Sequence, residues 1–354
     1  MKVAIIGAGA SGLLLANMLH DGKYDFTIFN NGKVGRKILA SGNGRCNIAN
    51  SNIDISKYHN NDLVSKLLKN KNKVFDEFKK LKIYLKEDDE GRLYPISESS
   101  QSVLNILTKN INNNIVDALI TKITKKNNKY IINEKYDGFD KVIIAGGSIS
   151  TLENTDIYGY LKGLNVKIND FKPSLVGFKV RNKIKAISGV RAKCNVSLYN
   201  DNKLIHSEDG EVIFKDDGIS GICVMNLSSY YAHIDKVNKP YIKVDLLKGE
   251  KYDSLESILN PKLLEFVNKN NINPNSFILD IVDTYGFKNS QVSKGGIDIK
   301  ELNDDLSLRN DNNISFMGEI IDVDGVCGGY NLFFAFLCAV TVYEGLKWNI
   351  KLME

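Results

Sequence analysis

Apolar positions gather into short runs near both ends of the chain and into alternating, interrupted segments between them. The run over residues 3–6 is followed at once by Gly7-Ala8-Gly9-Ala10-Ser11-Gly12 and then by an apolar stretch, 13–19, that suits a helix. A second strand is predicted over 26–29. Strand, glycine turn, helix, strand is the opening of a doubly wound parallel α/β sheet. Residues 32–52 read as a loop, too polar and too rich in Gly and Asn for a regular element. The pattern over 63–85 is helical, 99–110 is a second helix, and 115–132 alternates like a β-meander. A buried strand over 142–145 runs into Gly146-Gly147.

The style then changes. From about residue 173 to 247 the chain reads as short strands and turns, and 254–285 as helices around Pro261 and Pro274. With 314–317 as a strand and 332–345 as an apolar helix, the first style returns. This predicts a discontinuous Rossmann-like domain over 1–170 and 312–354. Inserted into it is a cap domain over 171–311, β-rich at 171–250 and 290–311 and helical at 251–289. The apolar run 332–343, broken only by Thr341, falls short of the roughly 18 residues a membrane-spanning helix needs, so it reads as a buried helix.

Composition narrows the class. At 354 residues, 43% hydrophobic and 25% charged, the chain is globular, with room for two or three domains. The net charge of +5 is carried by 41 Lys and only six Arg, so the neighbouring Arg36 and Arg45 draw attention to the N-terminal loop. The Lys-heavy stretch 66–86 includes Asp76 and Glu77 and reads as a solvated helix face, with no nucleic acid partner expected. Five cysteines, at 46, 194, 223, 327 and 338, form no C-x-x-C pair and no zinc-like cluster, which fits reduced thiols in a cytoplasmic protein. The glycines inside the N-terminal apolar stretch argue against a secretory signal. A small-molecule ligand is expected, with no membrane partner; the oligomeric state is not legible.

In the G-x-G-x-x-G turn, Gly7 makes the tight bend, Gly9 admits backbone to a pyrophosphate, and Gly12 lets helix pack on strand. The helix N-terminus, at Ala10 and Ser11, then offers N–H groups to the diphosphate. A turn without ligand and a methyltransferase variant of the motif remain the alternatives. Eighteen residues after Gly12, where an acid usually meets the ribose hydroxyls, stands Asn30, which either accepts from a ribose or makes a turn with Asn31. The loop from Gly35 to Asn47 combines Arg36, Lys37, Ser41, Gly42, Gly44, Arg45, Cys46 and Asn47, residues able to wrap a diphosphate or a flavin; the alternative is an ordinary surface loop. Near the C-terminus, Gly318-Glu319 ends a strand, and Asp324 to Leu332 runs into the apolar helix as a second helix N-terminus.

The segments GAGASG, GRKILASGNGRCN, EGRLYP, VIIAGG, GEVIFKDDGISG, SQVSKGGID and GEIIDVDGVCGGYNL, in that order, resemble the bacterial flavoprotein family that includes aminoacetone oxidase and the bile-acid 4-ene reductases. These are two-dinucleotide-binding-domain flavoproteins with a glutathione-reductase type FAD domain. The resemblance implies non-covalent FAD and an inserted domain of β-barrel plus helical parts. It implies that Gly7, Gly9, Ala10, Ser11 and Gly12 hold the diphosphate, with Asn30 at the adenosine end and Ile120 touching adenine through its main chain. Arg36, Lys37, Ser41, Gly42, Gly44, Arg45, Cys46 and Asn47 would line the flavin, and Ala145, Gly146 and Gly147 would form a second backbone approach. Gly318 and Glu319 would meet the ribityl chain, and Asp324, Gly328, Gly329, Tyr330, Asn331 and Leu332 the pyrimidine edge. Three departures stand out: Asn30 for the usual acid, Asn43 for a loop glycine, and Ser148 to Thr151 for the turn motif after Gly147.

The expected activity is an FAD-dependent oxidoreductase that moves a hydride between flavin and a small organic substrate, with NAD(P)H as the donor. An amine oxidase using oxygen and a non-catalytic flavin- or nucleotide-binding module are the alternatives. One glycine fingerprint is present, so a nicotinamide cofactor has no Rossmann unit of its own. Ser220, in the Gly218-Ile219-Ser220-Gly221 turn, and Tyr330 are the expected substrate wall, although a turn that joins two barrel strands explains Gly218 and Gly221 equally well. No metal site and no catalytic acid or base can be named from the sequence; His20, His59, His206 and His233 stand in no triad or metal spacing.

Overall fold

A computed structural model describes residues 1–150 and 156–351. The chain divides into two compact units, one of residues 1–149, 154–170 and 295–354, the other of 150–153 and 171–294.

The first unit is built on a six-stranded sheet. In spatial order its strands are Ser307–Leu308, Asp311–Phe316, Lys141–Ile144, Lys2–Ile6, Asp25–Asn30 and Ile115–Asp117. All neighbouring pairs are parallel except Ser307–Leu308, which closes one edge antiparallel. The central strand is buried on both faces, from Val3 to Ile6, which is why it reads as an unbroken apolar run. Helix Ala10–Asp21 returns the chain to Asp25–Asn30 on one side of Lys2–Ile6, and Lys141–Ile144 lies on the other. The strand order therefore reverses at the glycine turn, where open α/β sheets place their ligands.

Two layers cover this sheet. The long C-terminal helix, Tyr330–Lys351, is apolar on nearly every side. Its Phe333 stacks on Phe75 at 5.8 Å and its Phe336 meets Phe78 edge-on at 5.0 Å, both from helix Lys71–Lys80. A three-stranded meander, Ile123–Lys126, Lys129–Ile132 and Tyr136–Phe139, packs Tyr136 and Phe139 against Phe29 at 4.9 and 5.8 Å. The loop expected over 32–52 contains helix Arg36–Ala40, a 3-10 turn Ser41–Gly44 and a short strand Ala49–Asn50. Tertiary contacts order it where composition gave no periodic signal.

The second unit is a closed six-stranded barrel of Phe178–Val180, Gly218–Ser220, Lys203–Phe214, Arg191–Asn200, Tyr241–Asp245 and Phe277–Thr284. Phe178, Leu198, Phe214, Ile242 and Leu279 fill it. Two expectations are corrected here. Within 173–247, where only strands and turns are predicted, helix Ile222–Ala232 forms; its buried positions fall on more than one side, so no amphipathic stripe marks it. Within 254–285 the single helix is Pro261–Lys269, capped by Asn260, and Phe277–Thr284 is a strand whose burial alternates. Residues 295–311, assigned to the insert, belong to the first unit, since Ser307–Leu308 pairs with its sheet.

Candidate functional site

The register of the parallel strands aligns Ile6 with Phe29 and with Ile144, and Ile144 with Phe316. The segments that follow these residues therefore emerge at one edge of the sheet: the glycine turn, Asn30, Ala145 to Ser148, and Met317 to Glu319. Backbone bonds extend the alignment one step further, from Gly7 N to Phe29 O (2.8 Å), Ala145 N to Ile6 O (2.8 Å) and Met317 N to Ile144 O (2.9 Å).

Each fingerprint glycine meets a different environment. A Cβ on Gly7, which has φ of 110°, would lie 2.3 Å from Ala145 O, and one on Gly12 would lie 2.1 Å from Gly7 O. Both are sites of backbone-to-backbone packing. A Cβ on Gly9 would meet nothing within 4 Å. Gly9 is the N-cap of helix Ala10–Asp21, with no side-chain cap bond and no acid in the first turn. An uncapped helix N-terminus beside an open glycine is a cradle for an anion, and a diphosphate fits it.

The other predicted residues are distributed around this cradle. Asn30 accepts from Ala8 N at 3.0 Å and donates to Gly32 O at 2.8 Å, so its amide ties the glycine turn to the end of the second strand. Gly35 N donates to Ala8 O at 2.9 Å and brings Arg36 and Lys37 alongside the turn; Arg36 is exposed. Ala118 N donates to Asn30 O at 2.9 Å, and Ile120, two residues on, is buried. A Cβ on Gly318 would come within 2.9 Å of Ser11 Oγ, so Glu319 follows the last strand directly next to the first turn of the helix.

Asn47 joins the loop to the C-terminal helix. With its amide oriented to satisfy both neighbours, it donates to Ala49 O at 2.9 Å and accepts from Gly329 N at 3.1 Å. Gly329 has no room for a side chain, because its Cβ would lie 2.2 Å from Ala49 O. Asn331 folds back on the preceding loop, accepting from Gly325 N (2.9 Å) and donating to Gly325 O (2.8 Å). Gly328, with Leu332 half-buried nearby, completes this edge. Asp324 is buried, and its carbonyl accepts from His59 N at 2.9 Å.

Some placements differ from what the residue types alone imply. Tyr330 is 2% exposed, edge-on to Tyr58 at 5.2 Å, with its carbonyl accepting from the Tyr58 hydroxyl at 2.8 Å. Its ring is part of the interior of the first unit. Arg45 lies over the Tyr94 ring at 4.9 Å, while Ser41 Oγ donates to Ile38 O at 2.7 Å. Gly42 faces Asn47 N, and a Cβ on Gly44 would meet open space. Cys46 is fully buried, and burial pushes its thiol up to about 11, so it offers no thiolate near neutral pH. Gly146 is exposed and Gly147 half-buried with φ of 74°; Thr151, in the altered turn, lies outside the described residues.

In the barrel unit, Ser220 is half-buried at the end of its strand. Gly218 and Gly221 are close-packing points, since a Cβ would lie 2.0 Å from Phe178 O and 2.1 Å from Glu211 O. His206 stacks on Tyr230 at 3.8 Å, with Nε2 3.3 Å from Glu208 Oε1. Sequence spacing could not pair His206 with Tyr230, because strand and helix bring them together.

The sequence reading also missed that Lys37, Ser148 and Glu319 form one cluster. Lys37 Nζ pairs with Glu319 and donates to Ser148 Oγ at 3.1 Å, and Ser148 Oγ donates to Glu319 Oε1 at 2.6 Å. Burial pulls the Lys37 ammonium below its usual value, against the opposing pull of Glu319.

The family model described as HI0933-like protein Rossmann domain matches residues 1–344. The chain belongs to that family. It is 28% identical to a 3-dehydro-bile acid delta(4,6)-reductase of Clostridium scindens, over 94% of this chain and 95% of the relative. It is 25% identical to a ribosomal RNA dihydrouridine synthase of Haemophilus influenzae, over 96% and 97%. Among solved structures, 3-ketosteroid-delta4-(5alpha)-dehydrogenase from Rhodococcus jostii shares the fold, with a TM-score of 0.51 at 9% identity, covering 97% of both chains. The family is one of FAD-binding Rossmann enzymes, and this protein is an FAD-dependent oxidoreductase. Among the described residues no helix is long and apolar enough to cross a membrane.

Proposed function

We propose that the protein is an NAD(P)H-linked reductase of a carbon–carbon double bond conjugated to a carbonyl, in a small organic substrate. The observation that carries the reading is the open, uncapped glycine turn with Lys37, Ser148 and Glu319 beside it at one edge of the sheet. The residues that would hold FAD are Gly7 to Gly12 at the diphosphate, Asn30 and Ile120 at the adenosine, Glu319 at the ribityl chain, and Asn47 with Gly328 to Leu332 at the ring. When bound, FAD supplies hydride exchange at its isoalloxazine ring. The backbone N–H groups of the helix N-terminus would offset the diphosphate charge. Asn47 ties the loop to the start of the C-terminal helix, whose N-terminus would favour the negative charge that collects on the flavin ring on reduction.

The substrate class is supported by what two relatives' names share. A delta(4,6)-reductase of a 3-dehydro bile acid and a dihydrouridine synthase both saturate a double bond activated by a carbonyl, although their substrates differ greatly in size. The overall reaction takes a hydride from NAD(P)H and a proton from solvent, adds both across the double bond, and releases NAD(P)+. The test is incubation of FAD-loaded protein with NADPH or NADH and a 3-oxo-Δ4 steroid, followed by mass spectrometry. A product two mass units heavier is expected. Failure to reduce enones, together with hydrogen peroxide formation from a small amine, would replace this reading by the oxidase.

A further inference from the structure

The position of Glu319 poses an electrostatic question. The anion cradle of the first unit is made of Gly9 and the N-terminus of Ala10–Asp21, yet a segment that packs on Ser11 in its first turn, at Gly318, is followed immediately by a carboxylate. Two anions at one cradle repel, and a carboxylate whose side chain is only 15% exposed is screened less than one at the surface. The cation paired with that carboxylate is Lys37, delivered beside Arg36 by helix Arg36–Ala40, which Gly35 anchors to Ala8 of the same turn. Ser148, from the segment after the neighbouring strand, bonds both partners and fixes their separation. Three segments that are distant in sequence thus converge on one charge pair at the carboxyl edge of the sheet.

We infer that Lys37 is a shared counter-ion that allows Glu319 to stand beside the FAD diphosphate: its ammonium is held by Glu319 and Ser148 and serves the phosphate oxygens as well. The inference rests on the FAD reading above and deepens it. Glu319 orients the lysine, and its own negative charge is tolerated at the cofactor only while Lys37 is present. Lys37 is a binding residue in this account, and its loss is felt in cofactor affinity before any chemistry.

The experiment is an FAD titration, by flavin fluorescence quenching, of the full chain and of Lys37→Met, Glu319→Gln and the double variant. Lys37→Met is expected to weaken FAD by about tenfold or more. Glu319→Gln should leave affinity within about threefold, because the freed ammonium still meets the diphosphate, and in the Lys37→Met background it should restore about threefold or more. Ser148→Ala is expected to fall between wild type and Lys37→Met. Lys37→Gln, which keeps a donor without the charge, takes the place of Lys37→Met if the latter does not fold, with the same expected direction. A double variant weaker than Lys37→Met, or a Lys37 variant that binds as wild type does, would overturn the inference while leaving the FAD site standing. Wild-type protein that binds no FAD at all would instead remove the reading on which it rests.

Discussion

Gly9 and Gly12 stand three residues apart and respond to a methyl group in opposite ways. At Gly12 the Cβ would collide with Gly7 O, so Gly12→Ala should destabilise the protein by roughly 2–4 kcal/mol and abolish cofactor binding. At Gly9, φ is −89° and the space is open, so Gly9→Ala should keep the apo-protein's stability within about 0.5 kcal/mol. Its FAD affinity should nevertheless drop by about tenfold, because the methyl occupies the space a diphosphate needs. Thermal unfolding and an FAD titration read both effects; equal destabilisation by the two substitutions would contradict the assignment. Of the site chemistry, the glycine turn was legible because its spacing is local. The Lys37–Ser148–Glu319 cluster was not, because its members come from three separated segments and nothing in any one segment announces the others.

The cysteines carry a second residue-scale consequence. Burial raises Cys46 and Cys223 to about 11 and Cys194 and Cys338 to about 12, from a usual value of 9.0. Below pH 9 folded and unfolded states hold the same thiol protons. Above it the unfolded chain ionises first and binds fewer protons, so stability declines as pH rises from about 9 towards 11. Denaturant midpoints at pH 8 and pH 10.5 should show that fall, and replacing the four cysteines by Ala or Val should reduce it, with the remainder carried by tyrosines that burial also raises, such as Tyr58 and Tyr160.

At the scale of elements, the C-terminal helix brings a long run of buried apolar side chains, Phe333 to Val340, into the first unit. Phe336 is fully buried against Phe78, and Phe336→Ala should cost about 3–5 kcal/mol in chemical denaturation. A cost under 1 kcal/mol would mean that the helix is not packed as described. This helix and the central strand were legible in sequence because burial on every side leaves an unbroken apolar run. Helix Ile222–Ala232 was not, since a short buried helix and a buried strand look alike without a polar face. The strand Phe277–Thr284 carries its own signal, apolar and polar residues in alternation, but Pro274 and the helical neighbourhood masked it.

For the whole molecule, the doubly wound α/β class follows from the sequence pattern and the family match agrees with it, while the barrel was implied by the family resemblance alone and is what the second unit forms. The limits of the insert were less legible. The chain re-enters the first unit at Gly295, nineteen residues before the strand over 314–317 that marks the return in the pattern, because Ser307–Leu308 is too short and too polar to read as a sheet edge. FAD at a hundred times its dissociation constant should stabilise the protein by about 2.7 kcal/mol, visible as a rise in the thermal midpoint that Gly9→Ala reduces.

The central claim, that a pyridine nucleotide feeds an FAD site in a double-bond reductase, is tested most directly by an anaerobic visible spectrum of the FAD-loaded protein before and after addition of NADPH or NADH. The yellow band should bleach with one of them and return when an enone is added. A band that persists with both nucleotides, and bleaches only when a small amine is supplied, would contradict it.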